Sequence, residues 1–239
     1  RIAAQEIDLR ASARILRARG DVRTVSLPGS TGSSAAPGFG SRSAISFQAH
    51  ALLADQQADR AVYSGSARVW QEGNSLQGDE IVIDRQARQL RATGNVVARF
   101  TQRAERGAGA PSRPMVTAIT SSILVFDDAL GVGRYRDNVR LTREDAVLTA
   151  DAMDAWLVER DGGRTLDRIE ARGSVAIKKA QSFGTARTAE YDAGREMLVL
   201  EDEEGLAEVV DAATGRTLRG RTLTFDLAGD RILTESARG

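Results

Sequence analysis

The stretch Leu90-Arg91-Ala92-Thr93-Gly94-Asn95-Val96 decides the fold. Apolar or small residues occupy every second position, and polar residues fall between them. Because successive side chains of a β-strand point to opposite faces, this alternation predicts a half-buried strand with Leu90, Gly94 and Val96 on its inner face. The glycine either removes side-chain volume where facing walls would crowd or marks a bulge.

The same alternation recurs along the chain. The clearest copies are residues 16–22 and 169–175, and weaker copies lie at residues 63–69 and 133–141. A second recurrent strand that ends in an aspartate precedes each copy, as in residues 76–84. About seven two-strand units follow one another at a spacing of roughly 30 to 40 residues. The sequence therefore predicts an all-β protein, an elongated antiparallel β-jelly-roll of roughly 14 to 16 strands.

The repeats predict a single domain over residues 1–239, interrupted by two segments rich in turn formers. Residues 26–46 are predicted to form a flexible insertion and residues 101–114 a flexible loop. The chain begins inside a strand pattern, and its last residues, Ala237-Arg238-Gly239, repeat the first half of a unit. We therefore expect the sequence to be a piece of a longer protein.

Composition excludes several classes of function. The chain has 239 residues, 41% of them hydrophobic, which is enough to bury a sizeable core. Lys plus Arg equals Asp plus Glu at 33 each, so the positive charge that drives nucleic-acid binding is missing. Without cysteine there is no thiolate zinc site and no cysteine nucleophile, and His50 is the single histidine. No enzymatic activity, cofactor or metal is expected.

An apolar interior that runs along the repeats is the candidate binding site. Its lining is predicted from the residues that the alternation points inward on the glycine-containing strands and on their partner strands. These candidates are Tyr63, Val69, Ile81, Ile83, Leu90, Val96, Phe100, Leu124, Phe126, Tyr135, Val139, Leu141, Ile169, Val175 and Ile177. An ordinary packed core would show the same pattern, since alternation does not reveal whether the two walls close on each other.

A series of aspartates at regular intervals resembles a calcium site at first sight. We predict instead that these residues end strands and initiate turns, because an aspartate carboxylate accepts hydrogen bonds from the backbone that follows it. The series is Asp79, Asp84, Asp127, Asp192 and Asp226. A calcium loop would need carboxylates that converge on one point, and this spacing does not provide them.

With these units in place, the chain resembles the OstA-like periplasmic proteins of the lipopolysaccharide transport (Lpt) bridge family. The resemblance rests on Tyr63-Ser64-Gly65-Ser66-Ala67-Arg68-Val69-Trp70, on Leu76-Gln77-Gly78-Asp79-Glu80-Ile81, on residues 90–96, and on the run from Val116-Thr117-Ala118 to Leu141. It covers about residues 47–175, with degenerate copies over the remainder.

The resemblance implies a noncatalytic periplasmic protein whose β-jelly-roll subunits join edge to edge between the inner and outer membranes. It implies that the acyl chains of lipopolysaccharide, or of a related glycolipid, ride in the apolar groove while the sugar head stays in water. The implied partners are that lipid, other Lpt-type jelly-roll subunits at both ends and, indirectly, the outer-membrane translocon and the inner-membrane ATPase complex.

Two other functions stay open at this point. A self-assembling structural β-scaffold would show the same repeats with a dry, closed interior. A β-solenoid enzyme acting on polysaccharide would need two carboxylates close together on one sheet face.

Overall fold

The structure is a computed structural model that describes residues 1–28, 36–40, 43–103, 114–144, 146–160, 163–212, 214–226 and 231–234. Within these residues the chain forms seventeen strands in one sheet and no helix, so the predicted all-β jelly-roll is confirmed. Consistent with this, no helix in the described ranges could cross a membrane.

The strands are β1 (Ile2–Ala3), β2 (Glu6–Arg10), β3 (Ile15–Ser26), β4 (Ile45–Asp55), β5 (Arg60–Gln71), β6 (Asn74–Asp84), β7 (Gln89–Arg103), β8 (Pro114–Asp127), β9 (Val132–Arg143), β10 (Ala146–Arg160), β11 (Gly163–Lys179), β12 (Ser182–Asp192), β13 (Met197–Glu201), β14 (Ala207–Asp211), β15 (Arg216–Gly220), β16 (Thr222–Asp226) and β17 (Arg231–Thr234).

From β2 to β12 each strand pairs antiparallel with the next one in the chain, and the short β1 adds to the far end of β3. Beyond β12 the sheet divides. One half of β12 pairs with β13, which continues to β16 and β17, while the other half pairs with β14, which continues to β15. A single long strand is thus replaced there by two short ones.

Every second long strand carries a corner made of two successive residues in the left-handed region. At Gly94 φ is +70° and at Asn95 it is +48°. The other corner pairs are Gly20-Asp21, Gly65-Ser66, Asp137-Asn138 and Gly173-Ser174. The register between neighbouring strands shifts at the same place, as expected where a bulge bends a strand. The corners therefore form one line that divides the sheet into two walls.

We name the walls by the turns at their free margins. Wall A contains the strand halves next to the turns at residues 56–59, 85–88 and 128–131, and wall B contains the opposite halves, next to the turn at residues 72–73. In β5, for example, Tyr63 belongs to wall A and Val69 to wall B. The opening between the two free margins is called the mouth.

Direct contacts show that the two walls face each other. The hydroxyls of Thr24 on wall B and Tyr63 on wall A are hydrogen-bonded at 2.8 Å. The ring of Phe47 on wall B stacks on Tyr63 with 4.8 Å between the centroids. Farther along the mouth, Asn74 Nδ2 donates to the carbonyl oxygen of Arg164 at 2.8 Å. The sheet is therefore folded over on itself, and the core lies between its walls.

Asp79 corrects one prediction from the sequence. It lies inside β6 at the corner and does not end a strand. Asn95 Nδ2 donates to the two carboxylate oxygens of Asp79 at 3.2 and 3.1 Å, so this aspartate packs over the corner of the neighbouring strand. The sequence spacing could not distinguish Asp79 from the aspartates that begin turns, because corners and turns recur with the same period.

Three other aspartates of the series do what was predicted. The carboxylate of Asp84 accepts the Ala87 N–H at 2.8 Å. Asp127 and Asp192 each accept two N–H groups of the turn that follows. Asp226 ends β16, and the turn after it lies outside the described residues.

The two predicted flexible segments fall partly outside the described residues, namely at positions 29–35, 41–42 and 104–113. Their flexibility therefore stays a prediction. The flanking strands reach into both segments, since β3 ends at Ser26, β4 begins at Ile45, β7 ends at Arg103 and β8 begins at Pro114.

An ion pair joins the walls where the last residue of β9 faces the turn between β12 and β13. Arg143, on wall B, is 6% exposed, and its Nη2 donates to Glu196 Oε1 on the wall A side at 2.8 Å. Its guanidinium carbon lies 5.1 Å from the ring centroid of Tyr191. Burial lowers the pKa of Arg143, and the Glu196 carboxylate opposes that shift. Glu196 therefore compensates a charge that the fold has removed from water.

The corner is tested by the pair of substitutions Gly94→Ala and Gly215→Ala. Both glycines have positive φ, but an added Cβ would overlap the Asp79 side chain at Gly94, 2.7 Å from its Cγ. At Gly215 it would meet no atom of the described residues within 4 Å. We expect Gly215→Ala to lower the free energy of unfolding by about 1 kcal/mol and Gly94→Ala by about 2–4 kcal/mol. Urea unfolding measures both, and equal losses would contradict the packed corner.

The ion pair across the mouth is tested by Glu196→Gln. This variant leaves the Arg143 guanidinium buried without its counter-charge, so we expect a loss of about 1–3 kcal/mol in the free energy of unfolding. Glu208→Gln is the matched control, because Glu208 pairs at 2.8 Å with the exposed Arg219 and its loss should leave stability unchanged. If both variants unfold at the wild-type urea concentration, Glu196 does not stabilise the closed walls.

Candidate functional site

All of the candidate lining residues lie in the interior between the walls. Every one of them is buried, from Val69 and Ile169 at 0% to Phe100 at 9% exposure, and all belong to a single hydrophobic cluster. The cluster runs from Ala18 on β3 to Phe225 on β16. The alternation thus identified inward positions correctly, while their contact with a ligand stays a prediction.

The larger cavity lies between the walls at strands β3 to β6 and has a volume of about 380 Å³. Its apolar lining comes from both walls: Phe47 from wall B, and Leu52, Ala61, Tyr63 and Ile83 from wall A. The volume falls within the range of small-molecule sites in proteins, which begins at about 300 Å³. This part of the interior has room for a ligand without rearrangement of the core.

Polar groups lie at one side of this cavity. The hydrogen-bonded hydroxyls of Thr24 and Tyr63 contribute to its lining, and so does Arg85, whose Nη1 contacts Asp59 at 3.0 Å. Arg85 Nε is buried and has no hydrogen-bond partner among the described residues. Burial raises the pKa of Tyr63, which keeps its hydroxyl neutral at physiological pH. The cavity is therefore apolar with a small polar margin.

A second, smaller cavity of about 30 Å³ lies deeper along the interior. Both walls line it, with Phe100 from wall B and Leu90, Leu124, Phe126 and Tyr135 from wall A. All five were predicted from the sequence. Burial raises the pKa of Tyr135, so this hydroxyl also stays neutral at physiological pH.

Sequence reasoning missed part of the lining. Phe47, Leu52 and Ala61 line the larger cavity, and Leu157 lines the smaller one. All four continue the alternation of strands whose repeat copies are degenerate, so the period-two pattern contained the signal. Phe39 lies in the segment predicted to be a flexible insertion, and no periodic pattern marks it.

The site is suited to binding apolar chains. No group of three or more potential metal ligands occurs among the described residues. The partly buried carboxylate of Asp154 contacts Arg136 at 2.8 Å and Arg172 at 3.1 Å, which holds it in ion pairs on the sheet. The space between the walls offers apolar surface, the hydroxyls of Thr24, Tyr63 and Tyr135, and the guanidinium of Arg85 at the margin of the larger cavity.

Comparisons with known proteins give one family match and one similar solved structure. Residues 118–230 match the family described as "LptA/(LptD N-terminal domain) LPS transport protein". No curated protein matches the chain. A solved structure, LptH of Pseudomonas aeruginosa, described as the LptA homologous periplasmic component of the conserved lipopolysaccharide transport device, is 18% identical, with a TM-score of 0.43. The match covers 52% of this chain and 84% of that one.

The matched residues run from β8 to the end of β16, so they include two of the five corners and both walls. The resemblance found in the sequence rested mainly on residues before and within this range, and the family match extends it toward the C-terminus. The match of residues 118–230 to the LptA/LptD N-terminal domain family of lipopolysaccharide transport proteins thus confirms the predicted OstA-like relationship.

Proposed function

We propose that this chain is a noncatalytic periplasmic bridge that carries lipopolysaccharide, or a related glycolipid, from the inner to the outer membrane. The acyl chains lie between the two walls, and the sugar head stays in water outside the mouth. The observation that carries the proposal is the apolar cavity of about 380 Å³ that opens between the walls at β3 to β6. The family match of residues 118–230 supports the same assignment.

The binding energy comes from removing acyl chains from water. Burying one methylene group contributes about 0.8 kcal/mol, so two further carbons raise the affinity roughly tenfold or more as long as the interior has room. Phe47, Leu52 and Ile83 provide apolar contact surface without polar groups that would need partners. No Walker motif occurs in the sequence, so directional movement requires an energy source on a partner.

The edges of the sheet support assembly with other subunits. Within the described chain β2 pairs only with β3, and its Ile7 and Leu9 are 49% and 61% exposed. At the other end, β15 pairs only with β14, and β17 only with β16. Such edges present unpaired backbone groups to which a strand of a neighbouring Lpt-type subunit can add.

A photo-crosslinking amino acid placed singly at Val96, Leu141 and Val175 tests lipid occupancy in cells. We expect adducts with labelled glycolipid at these inward positions and none at Arg91 and Arg172, which are exposed on the outer face. Electrophoresis of the labelled protein measures the adducts. If folded, correctly localised protein gives no adduct at any position, these residues form an ordinary packed core, and the self-assembling scaffold is favoured.

Filling the larger cavity tests the proposed binding site in vitro. Ala61→Phe places a ring in the cavity, so we expect at least a tenfold weaker affinity for a fluorescent fatty acid. Val62→Phe is the matched control, because Val62 is the next residue along β5 and points to the opposite face. Equal affinities of the two variants, with both folded, would show that the fatty acid binds elsewhere.

A further inference from the structure

Part of the long insertion between β3 and β4 lies inside the interior. The described residues 36–40 pass between the walls, and Ala36 and Phe39 are 4% and 9% exposed. Both belong to the same hydrophobic cluster as the wall residues. The Phe39 N–H donates to the Ala36 carbonyl at 3.0 Å, which closes a turn within the segment. This short stretch is therefore packed as core.

A buried glutamine holds the segment on wall B. Gln71, the last residue of β5, is 7% exposed. Its Oε1 accepts the Gly40 N–H at 2.7 Å, and its Nε2 donates to the carbonyl oxygens of Gly40 and Ser43 at 2.9 and 2.8 Å. The Ser43 hydroxyl also contacts the carboxylate of the adjacent Glu72. All three of these hydrogen bonds join the buried amide to the insertion.

The same segment touches wall A on its other side. Gly38 has φ +88°, and a Cβ added to it would lie 3.3 Å from Cδ1 of Phe126. The backbone therefore approaches the aromatic ring closely enough that a side chain would crowd it. Gln71 on wall B and Phe126 on wall A thus contact one segment, which spans the gap between the walls.

The segment also separates the two cavities. Ala36 lines the larger one, whereas Pro37, Gly38 and Phe39 line the smaller one. An acyl chain that extends from the larger cavity toward Leu124 and Phe126 would meet residues 36–40. The interior available to a ligand therefore ends at this segment as long as it stays in place.

We propose that residues 36–40 are an internal plug that an acyl chain must displace to pass from the larger cavity into the rest of the interior. This inference rests on the proposed lipid-carrying function. The plug and the acyl chain compete for the same apolar surface, so the protein binds a long chain only in the fraction of molecules whose plug has left. The hydrogen bonds of Gln71 set that fraction, because they are lost when the plug moves away.

The absence of cysteine from the chain makes a labelling experiment specific. Ala36→Cys places one thiol in the plug, and a maleimide reagent reports how often the thiol becomes accessible. Ala67→Cys, at a fully buried position next to the Gly65-Ser66 corner, reports general opening of the fold. Gln71→Leu removes the hydrogen bonds that hold the insertion on wall B. Gln77→Leu, at an exposed position on β6, is its matched control.

We expect Gln71→Leu to raise the labelling rate at position 36 at least tenfold and Gln77→Leu to leave it unchanged. A saturating fluorescent C16 fatty acid should raise the rate at position 36 to a similar extent, while labelling at position 67 stays slow. Binding of the fatty acid without faster labelling at position 36 would overturn the plug alone. Failure of the fatty acid to bind at all would overturn the proposed function, and the plug with it.

Discussion

The rest of the structure depends on the line of corners, where two successive residues adopt left-handed backbone conformations in every second strand from β3 to β11. Four of these corners begin with glycine, which reaches positive φ without a steric penalty. The neighbouring strand places a side chain over the glycine, as His50 does at Gly65 and Asp151 at Gly173. A side chain on either glycine would collide with this packing. Because the corners of these alternate strands lie at the same level, the sheet folds along one line and its two halves become facing walls.

Folding along a line gives the two sides of the interior different properties. The corner side is continuous backbone, closed by the sheet itself. The mouth is bridged by separate hydrogen bonds and ion pairs of side chains: Thr24 with Tyr63, Asn74 with the Arg164 carbonyl, and Arg143 with Glu196. Such contacts can exchange one by one without breaking the hydrogen-bonded ladder of the sheet. In the proposed function, an amphiphile therefore enters sideways through the mouth and keeps its polar head outside.

The walls themselves could be predicted from the sequence because burial on one face imposes a period of two on every strand. Leu90, Val96 and Tyr135 followed directly from that period, and the structure places each of them in the core. The corner of β9 is formed by Asp137-Asn138 and was harder to recognise, since these residues reach positive φ without the glycine that marked the other copies. Asp79 was assigned to a turn because turns and corners share one repeat length.

The contents of the mouth could not be predicted in the same way. Phe39 and Gln71 are brought together by a loop, and loop packing leaves no periodic trace in a sequence. In the sequence Gln71 resembles any polar residue at the end of a strand, and only the structure shows that its amide hydrogen-bonds to Gly40 and Ser43. The Arg143–Glu196 pair joins residues 53 positions apart, and neither residue stands out among the many charged residues of the chain. Local pattern therefore specified the walls, and long-range contacts determined how the walls close.

The most direct test of a lipid-carrying interior is the distance across the mouth. Spin labels on cysteines introduced at the exposed Glu72 of wall B and Arg160 of wall A report that distance by pulsed electron paramagnetic resonance, and a pair at Glu72 and Arg99, both on wall B, is the control. Because the interior beyond the larger cavity is closely packed, acyl chains that extend past residues 36–40 should lengthen the distance between the walls and leave the distance within wall B unchanged. An unchanged distance across the mouth, with glycolipid bound, would contradict a ligand held between the walls.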